Sequence, residues 1–274
     1  MALFSVASPE QHRAFLAQYR LRLRDRDGLP DPRALTLSRR EEQLEQHRAS
    51  AAARPWASEE DRRSFSQNQL RKQPEAELNE RMLWALALAK INRGESFGIQ
   101  YKISHQGVIS TDIHSIDLHI EIEELYHTQT IPIVLRYIGL DATILEPTWW
   151  TRQFLVLLIM APRLLADILL MSAEVVGVAT FRCLIEEGRR IFSDQPTQFT
   201  PMDNLLNRVL DDEIGHVLYV RGRLSAWQLR VAQALLPFVA RAILADTPEL
   251  FRLLGWQRFI RQVQQVQLEN LVEG

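Results

Sequence analysis

The chain is poor in the features that mark disulfide-stapled, nucleic-acid-binding or membrane-spanning proteins. Its 274 residues contain one cysteine, Cys183. That excludes an internal disulfide, a cysteine-based zinc knuckle and an iron–sulfur cluster held by one chain's thiolates, and it fits a reducing cytoplasm. Neither sign of charge dominates: the formal net charge is -2 and the pI is near 6.4. A basic nucleic-acid footprint is therefore missing, and no nucleic-acid partner is expected. Uncharged apolar runs of 18 residues are also missing. The closest approach, Phe154 to Phe181, is interrupted by Pro162, Arg163, Asp167 and Glu174, so it reads as a buried helix pair and no membrane span is expected. Met1 to Ala7 lacks the charged and apolar regions of an export signal, which again leads to the expectation of a cytoplasmic protein. No repeat or low-complexity tract is present.

What is there is helical periodicity. Apolar residues recur at three- and four-residue steps after residue 8, and alternating strand-like runs are scarce, so the expected class is all-α. Ser8-Pro9-Glu10 predicts a capped helix start, and Asp27 to Pro32 predicts a break. Residues 1–75 are rich in Arg, Gln and Glu, and read as a polar helical arm, either solvated helices or a mobile arm draped on a bundle. Residues 76–274 read as the bundle itself with C-terminal helices. Within it, helices are expected over 77–102, 110–138, 163–191 and 202–222, with an apolar stretch from Pro147 divided by Pro162. A loop is expected over 194–201, and two last helices near 225–245 and 248–271.

Two of these helices carry the same pattern. Glu123-Glu124-Leu125-Tyr126-His127 and Asp212-Glu213-Ile214-Gly215-His216 both read acid-Glu-x-x-His. Residues three apart share a helix face, so each motif aims a carboxylate and an imidazole into one space. With 21 Glu and 7 His, random placement gives about half of one Glu-x-x-His. The preceding acid, the separate helices and the apolar flanks (Ile120, Leu125, Ile131, Leu210, Ile214, Val217) make the conjunction specific. Glu124, His127, Glu213 and His216 are costly to bury unless a cation sits between them. Glu121, Glu123 and Asp211 are explained equally well as solvated acids.

On these residues the chain resembles the ferritin-like di-iron carboxylate superfamily. Its signature is one Glu from each of two helices plus a Glu-x-x-His from each of two others, all pointing into a four-helix core. The resemblance covers roughly residues 80–222. It implies that Glu124 with His127 and Glu213 with His216 are metal ligands, completed by single acids on the first and third helices. Glu174, inside the apolar run Leu169 to Val178, is preferred to Glu187, which sits beside Glu186, Arg189 and Arg190 like a solvated helix end. Glu95, which follows Leu88 and Ile91 between Gly94 and Gly98, is preferred to Glu80. The superfamily also implies that Asp212 orients His127 and that Glu123 orients His216. Four carboxylates and two imidazoles suit two iron ions better than tetrahedral zinc, with manganese or a mixed pair as alternatives. His105, His114 and His119 lie away from this face, and Tyr126 and Tyr219 read as packed tyrosines.

The resemblance leaves three classes of function. Oxygenases or oxidases act on organic substrates, ferroxidases handle iron, and radical generators serve a partner enzyme. The arm and the C-terminal helices favour an oxygenase with a substrate pocket, beside which Gly98, Gly177 and Gly215 would leave space. Such an enzyme takes dioxygen, a small organic substrate and an electron donor, and a homodimer is compatible with it. Spacings from Glu95 to Glu124, Glu174 and Glu213 are similar to those of the arylamine N-oxygenase group. That group carries a further histidine where this chain has Val209. Amine oxygenation, hydroxylation, desaturation and oxidative cleavage stay open, with an amine or a carrier-bound acyl group as substrate classes. A helical interaction module without metal is the non-enzymatic alternative.

Overall fold

A computed structural model describes residues 3–27, 35–52, 57–75, 77–106, 115–143 and 146–267. Among them are eleven α-helices and no strand: α1 (Pro9–Asp27), α2 (Leu35–Ala52), α3 (Glu59–Gln69), α4 (Glu80–Gln106), α5 (Ile116–Tyr137), α6 (Trp149–Met160), α7 (Arg163–Ile191), α8 (Pro196–Arg221), α9 (Ala226–Asp246), α10 (Pro248–Leu254) and α11 (Trp256–Gln264).

Helices α4, α5, α8 and α7 pack in a closed ring. Side-chain pairs give their directions. Lys102 meets Glu121 and Asn92 meets Thr128, so α4 and α5 are antiparallel. Glu123 meets His216 and Asp212 meets His127 across α5 and α8. Arg189 meets Asp203 across α7 and α8, while Glu80 meets Arg190 across α4 and α7. Every neighbouring pair is antiparallel, so the diagonal helices α5 and α7 run the same way. The segment from 138 to 162, which includes α6 and packs on α4, is the crossover that this requires.

Local chemistry accounts for these elements. Asn79 starts α4 by accepting the Met82 amide at 2.8 Å, an N-cap that satisfies an otherwise orphaned donor. From Met82 to Ala89 the helix is apolar on all sides and buried on all sides. Trp84 is fully buried because its indole N–H finds the Leu184 carbonyl at 2.7 Å. Pro132 inside α5 cannot donate to the Thr128 carbonyl one turn earlier. Asn92 of α4 supplies the missing donor at 3.4 Å, one residue after His127.

Some boundaries differ from the sequence expectation, α4 among them, which runs from Glu80 to Gln106. Residues 196–201 are helical: Pro196 stands at the first position of α8, where its fixed φ suits a helix and its missing N–H costs nothing. The last expected helix is split, because Gly255 (φ +69°) ends α10 and starts α11. Helix α5 begins at Ile116, and residues 107–114, with His114, lie outside the described residues.

The described N-terminal helices pack on the bundle. Helix α2 packs on α5, α3 on α4 and α1 on α8, and Leu3, Leu44 and Phe65 belong to the main core. Gly215 and Gly222, seven residues apart on α8, lie against Tyr19 and His12, also seven apart on α1. A Cβ at Gly215 would meet the Tyr19 ring at 2.6 Å, and one at Gly222 would meet the His12 ring at 1.8 Å. Among the described residues, α7 and α9 are long and apolar enough to cross a membrane. The core helix of a soluble bundle passes the same test, and the apolar window of α7 is 72% buried.

Candidate metal centre

The acid-Glu-x-x-His segments of α5 and α8 face each other, and Glu174 comes from α7. Ligand atoms of Glu124, Glu174, Glu213 and His216 all lie within 4.8 Å of one another. His127 stands beside them, with Nδ1 3.3 Å from Glu213 Oε1 and 4.0 Å from Glu124 Oε2. His216 Nδ1 is 3.2 Å from Glu124 Oε1 and 3.6 Å from Glu174 Oε2. The two oxygens of Glu124 thus face the two imidazoles. Glu95 of α4 lies outside the tight group, yet the charges of His127, Glu213, Glu124 and Glu174 all act on it.

The imidazoles are held from behind. His127 Nε2 is 3.2 Å from Asp212 Oδ2, and His216 Nε2 is 3.0 Å from Glu123 Oε2. A carboxylate only accepts, so each Nε2 carries the proton and donates. Despite the nearby oxygens, neither Nδ1 is hydrogen-bonded, because those oxygens lie off the direction a hydrogen bond needs. Glu95 Oε2 is likewise buried without a partner. Buried polar atoms are rarely left so. Three of them aimed at one cluster of acids are what a cation would satisfy.

Electrostatics point the same way. Burial, reinforced by the Glu213 carboxylate, pushes Glu174 up to about 8 against the pull of His216. Burial also holds Glu95 well above the usual carboxylate range, with Glu213, Glu124 and Glu174 adding to it and His127 opposing. For Glu124 burial is outweighed by the His216 imidazole 3.2 Å away, with His127 adding to it, and its carboxyl is lowered. Burial disfavours both imidazolium ions, but the carboxylates in front of and behind each ring win, and both histidines are raised well above their ordinary value. Among the described residues no lysine or arginine forms an ion pair with Glu95, Glu124, Glu174 or Glu213. Without metal, bound protons take the place of cations here.

The rival acids are elsewhere. Glu80 is exposed and paired with Arg190 at 2.8 Å. Glu187 is not a solvated helix end: it is 2% exposed, held by Arg190 at 2.8 Å and by Arg258 from α11. Glu123 and Asp212 are buried, so water does not account for Glu123, whereas Glu121 pairs with Lys102 near the surface. Leu125 faces solvent rather than the core. Of the three glycines, Gly177 abuts Glu213, where a Cβ would lie 2.9 Å from Oε2, and Gly215 serves helix packing rather than the cluster. Gly98 has only Leu155 nearby, at 3.8 Å, and Gly94 has nothing within 4 Å. With Glu95 and Glu124 only half-buried, the cluster is most open on its α4 and α5 side.

Sequence reasoning missed two residues, both in the N-terminal helices. Tyr19 donates its hydroxyl to Glu123 Oε2 at 2.7 Å. Arg40 reaches Glu123 Oε1 at 3.3 Å and Asp212 Oδ2 at 3.4 Å, with its guanidinium over the Tyr126 ring. Phe15, Leu16 and Tyr19 form a small apolar stripe that signals a docked α1. Nothing in the periodicity of α2 marks Arg40. Beside it, a cavity of about 100 Å³ between α2, α5 and α8 touches His127 and Asp212.

Comparison of the chain with family models, with curated proteins and with solved structures finds no match. The reading of this centre therefore rests on its own chemistry.

Proposed function

We propose that the chain is a ferritin-like di-iron protein in which Glu95, Glu124, His127, Glu174, Glu213 and His216 hold two iron ions that activate dioxygen to oxidise a small organic substrate. One observation carries the reading: acids and imidazoles of α5, α7 and α8 converge beside Glu95 of α4, with both Nδ1 atoms turned inward, and among the described residues no lysine or arginine pairs with these acids. A four-helix ring with a single long crossover is the arrangement expected of that superfamily. Mixed carboxylate and imidazole donors suit iron, and manganese after it.

A bound pair of ferrous ions would supply two electrons at once to dioxygen. The chain's own residues do the rest. Glu95, Glu124, His127, Glu174, Glu213 and His216 would hold the ions, Glu124 facing both imidazoles. Asp212 and Glu123 accept from Nε2, which turns each Nδ1 toward the acids that would share the ions. Glu174, the two imidazoles and Glu95 release their protons as the ions enter. Apolar packing limits water around the centre, and the open α4 and α5 side beside Gly94 gives a substrate its approach. Helices α9, α10 and α11 add mass beyond what an iron-storage bundle needs, which favours an organic substrate. The acids of the interaction-module alternative are buried, so they offer a partner little surface.

The test is aerobic turnover of the iron-loaded protein with an electron donor and panels of aryl amines and carrier-bound acyl groups. Oxygen uptake matched by organic product supports the oxygenase reading. Oxidation of a large excess of ferrous ion into a mineral core would replace it with the ferroxidase reading.

A further inference from the structure

Two of the acids closest to the centre do not face it. Glu123 and Asp212 lie behind the imidazoles, buried and only one residue before Glu124 and Glu213. The N-terminal helices hold both of them. One guanidinium, that of Arg40, spans the two carboxylates with Nη2 toward Glu123 and Nη1 toward Asp212. Arginine stays charged under all ordinary conditions, and its planar fork suits two acceptors at once. Its side chain is 13% exposed, so solvent screens it far less than it would a surface pair. Tyr19 then donates to Glu123 Oε2, the same oxygen that accepts from His216.

We propose that Arg40 and Tyr19 are positioning residues of the metal centre. They pin the Glu123 and Asp212 carboxylates behind the rings, fix both imidazoles with Nδ1 inward, and make metal binding depend on docking of α1 and α2. The glycine seats of α8 for Tyr19 and His12 show that this docking is built into the bundle surface. The inference rests on the metal reading above and adds that the centre is completed by elements outside the four-helix ring. Linkage is reciprocal: if docked helices favour the metal, the metal favours docked helices.

The test titrates metal-free full-length protein with Co²⁺ under argon and follows visible absorption, which reports the ligand set directly. Arg40→Gln should weaken binding about 10- to 100-fold, the range for loss of a partner that orients a metal-bound histidine, and should alter the cobalt spectrum. Arg40→Lys should recover part of that loss, and Tyr19→Phe should weaken binding less than Arg40→Gln. In the wild type, Co²⁺ should slow proteolysis within residues 1–52. If wild-type protein binds no Co²⁺, the metal reading itself fails. If wild-type protein binds but Arg40→Gln and Tyr19→Phe bind equally well with unchanged spectra, the positioning proposal alone falls. Should Arg40→Gln fail to fold, Arg40→Lys and Tyr19→Phe decide the question by the same spectra.

Discussion

Helix α7 buries two glutamates 13 residues apart and treats them in opposite ways. Glu187 receives Arg190 from its own helix and Arg258 from α11. Among the described residues Glu174 receives no arginine or lysine; its neighbours are His216 and further acids. Helix α4 repeats the contrast. Its Lys90 is buried against Glu249, and Arg93 lies 3.6 Å from Asp246, while Glu95, near the cluster, has a buried Oε2 with no hydrogen-bond partner among the described residues. Where this protein buries an acid for structure, it brings its own cation. Where it leaves four acids without one, a cation from outside is the economical explanation, since unpaired buried charge is otherwise among the most expensive arrangements a fold can carry.

The sharpest way to break this contrast is to remove the acids of the two Glu-x-x-His pairs. Glu124→Ala and Glu213→Ala are each expected to abolish stable binding of both ions, measured as iron per chain after desalting. Retention of two irons in either variant would move the site. Next come Glu174→Ala and Glu95→Ala, expected to lose at least one ion, whereas Glu80→Ala and Glu187→Ala keep both. The structural pair should behave in reverse. Glu249→Gln leaves Lys90 buried and unpaired and is expected to cost about 3–5 kcal/mol of stability, read by urea unfolding, with metal content unchanged.

The sequence made one half of this contrast legible and hid the other. Three-residue spacing is a local property, so helical geometry alone suffices to bring Glu124 and His127, or Glu213 and His216, onto one face. An isolated acid in an apolar run, such as Glu174, is visible for the same reason. Cations arriving from far along the chain are not visible. Glu187 reads as solvated because its arginine neighbours in sequence lie at a helix end, yet Arg258, 71 residues later, covers it. Tyr19 and Arg40 reach Glu123 from 104 and 83 residues away, and no periodicity predicts such pairing. Helix boundaries failed where proline was taken as a breaker, although Pro196 starts α8, and where Gly255 split a continuous apolar pattern.

A smaller effect is expected from pH. Groups raised above their ordinary values hold protons at neutral pH, and metal must displace them. Affinity should therefore rise with pH as Glu174, near 8, and the two raised imidazoles lose their protons. It should be clearly weaker at pH 6 than at pH 8.5. Titration in weak buffer should show proton release on metal addition; binding with no release and no pH dependence would contradict the assignment of these groups as ligands. The least disruptive probe is Gly177→Ala, whose Cβ would meet Glu213 Oε2 at 2.9 Å. The carboxylate is the free end of a side chain and can move. The fold should persist with a stability change within about 1 kcal/mol, while metal affinity falls modestly.

The central claim is that the cation missing from the Glu95, Glu124, Glu174 and Glu213 cluster is a pair of metal ions. Anaerobic addition of ferrous ion to metal-free protein, followed by desalting and elemental analysis, tests it most directly. The account predicts about two irons per chain, as the paired Glu-x-x-His arrangement requires, with the same protein taking up manganese when iron is withheld. Protein that emerges folded and helical but with neither iron nor manganese would contradict it.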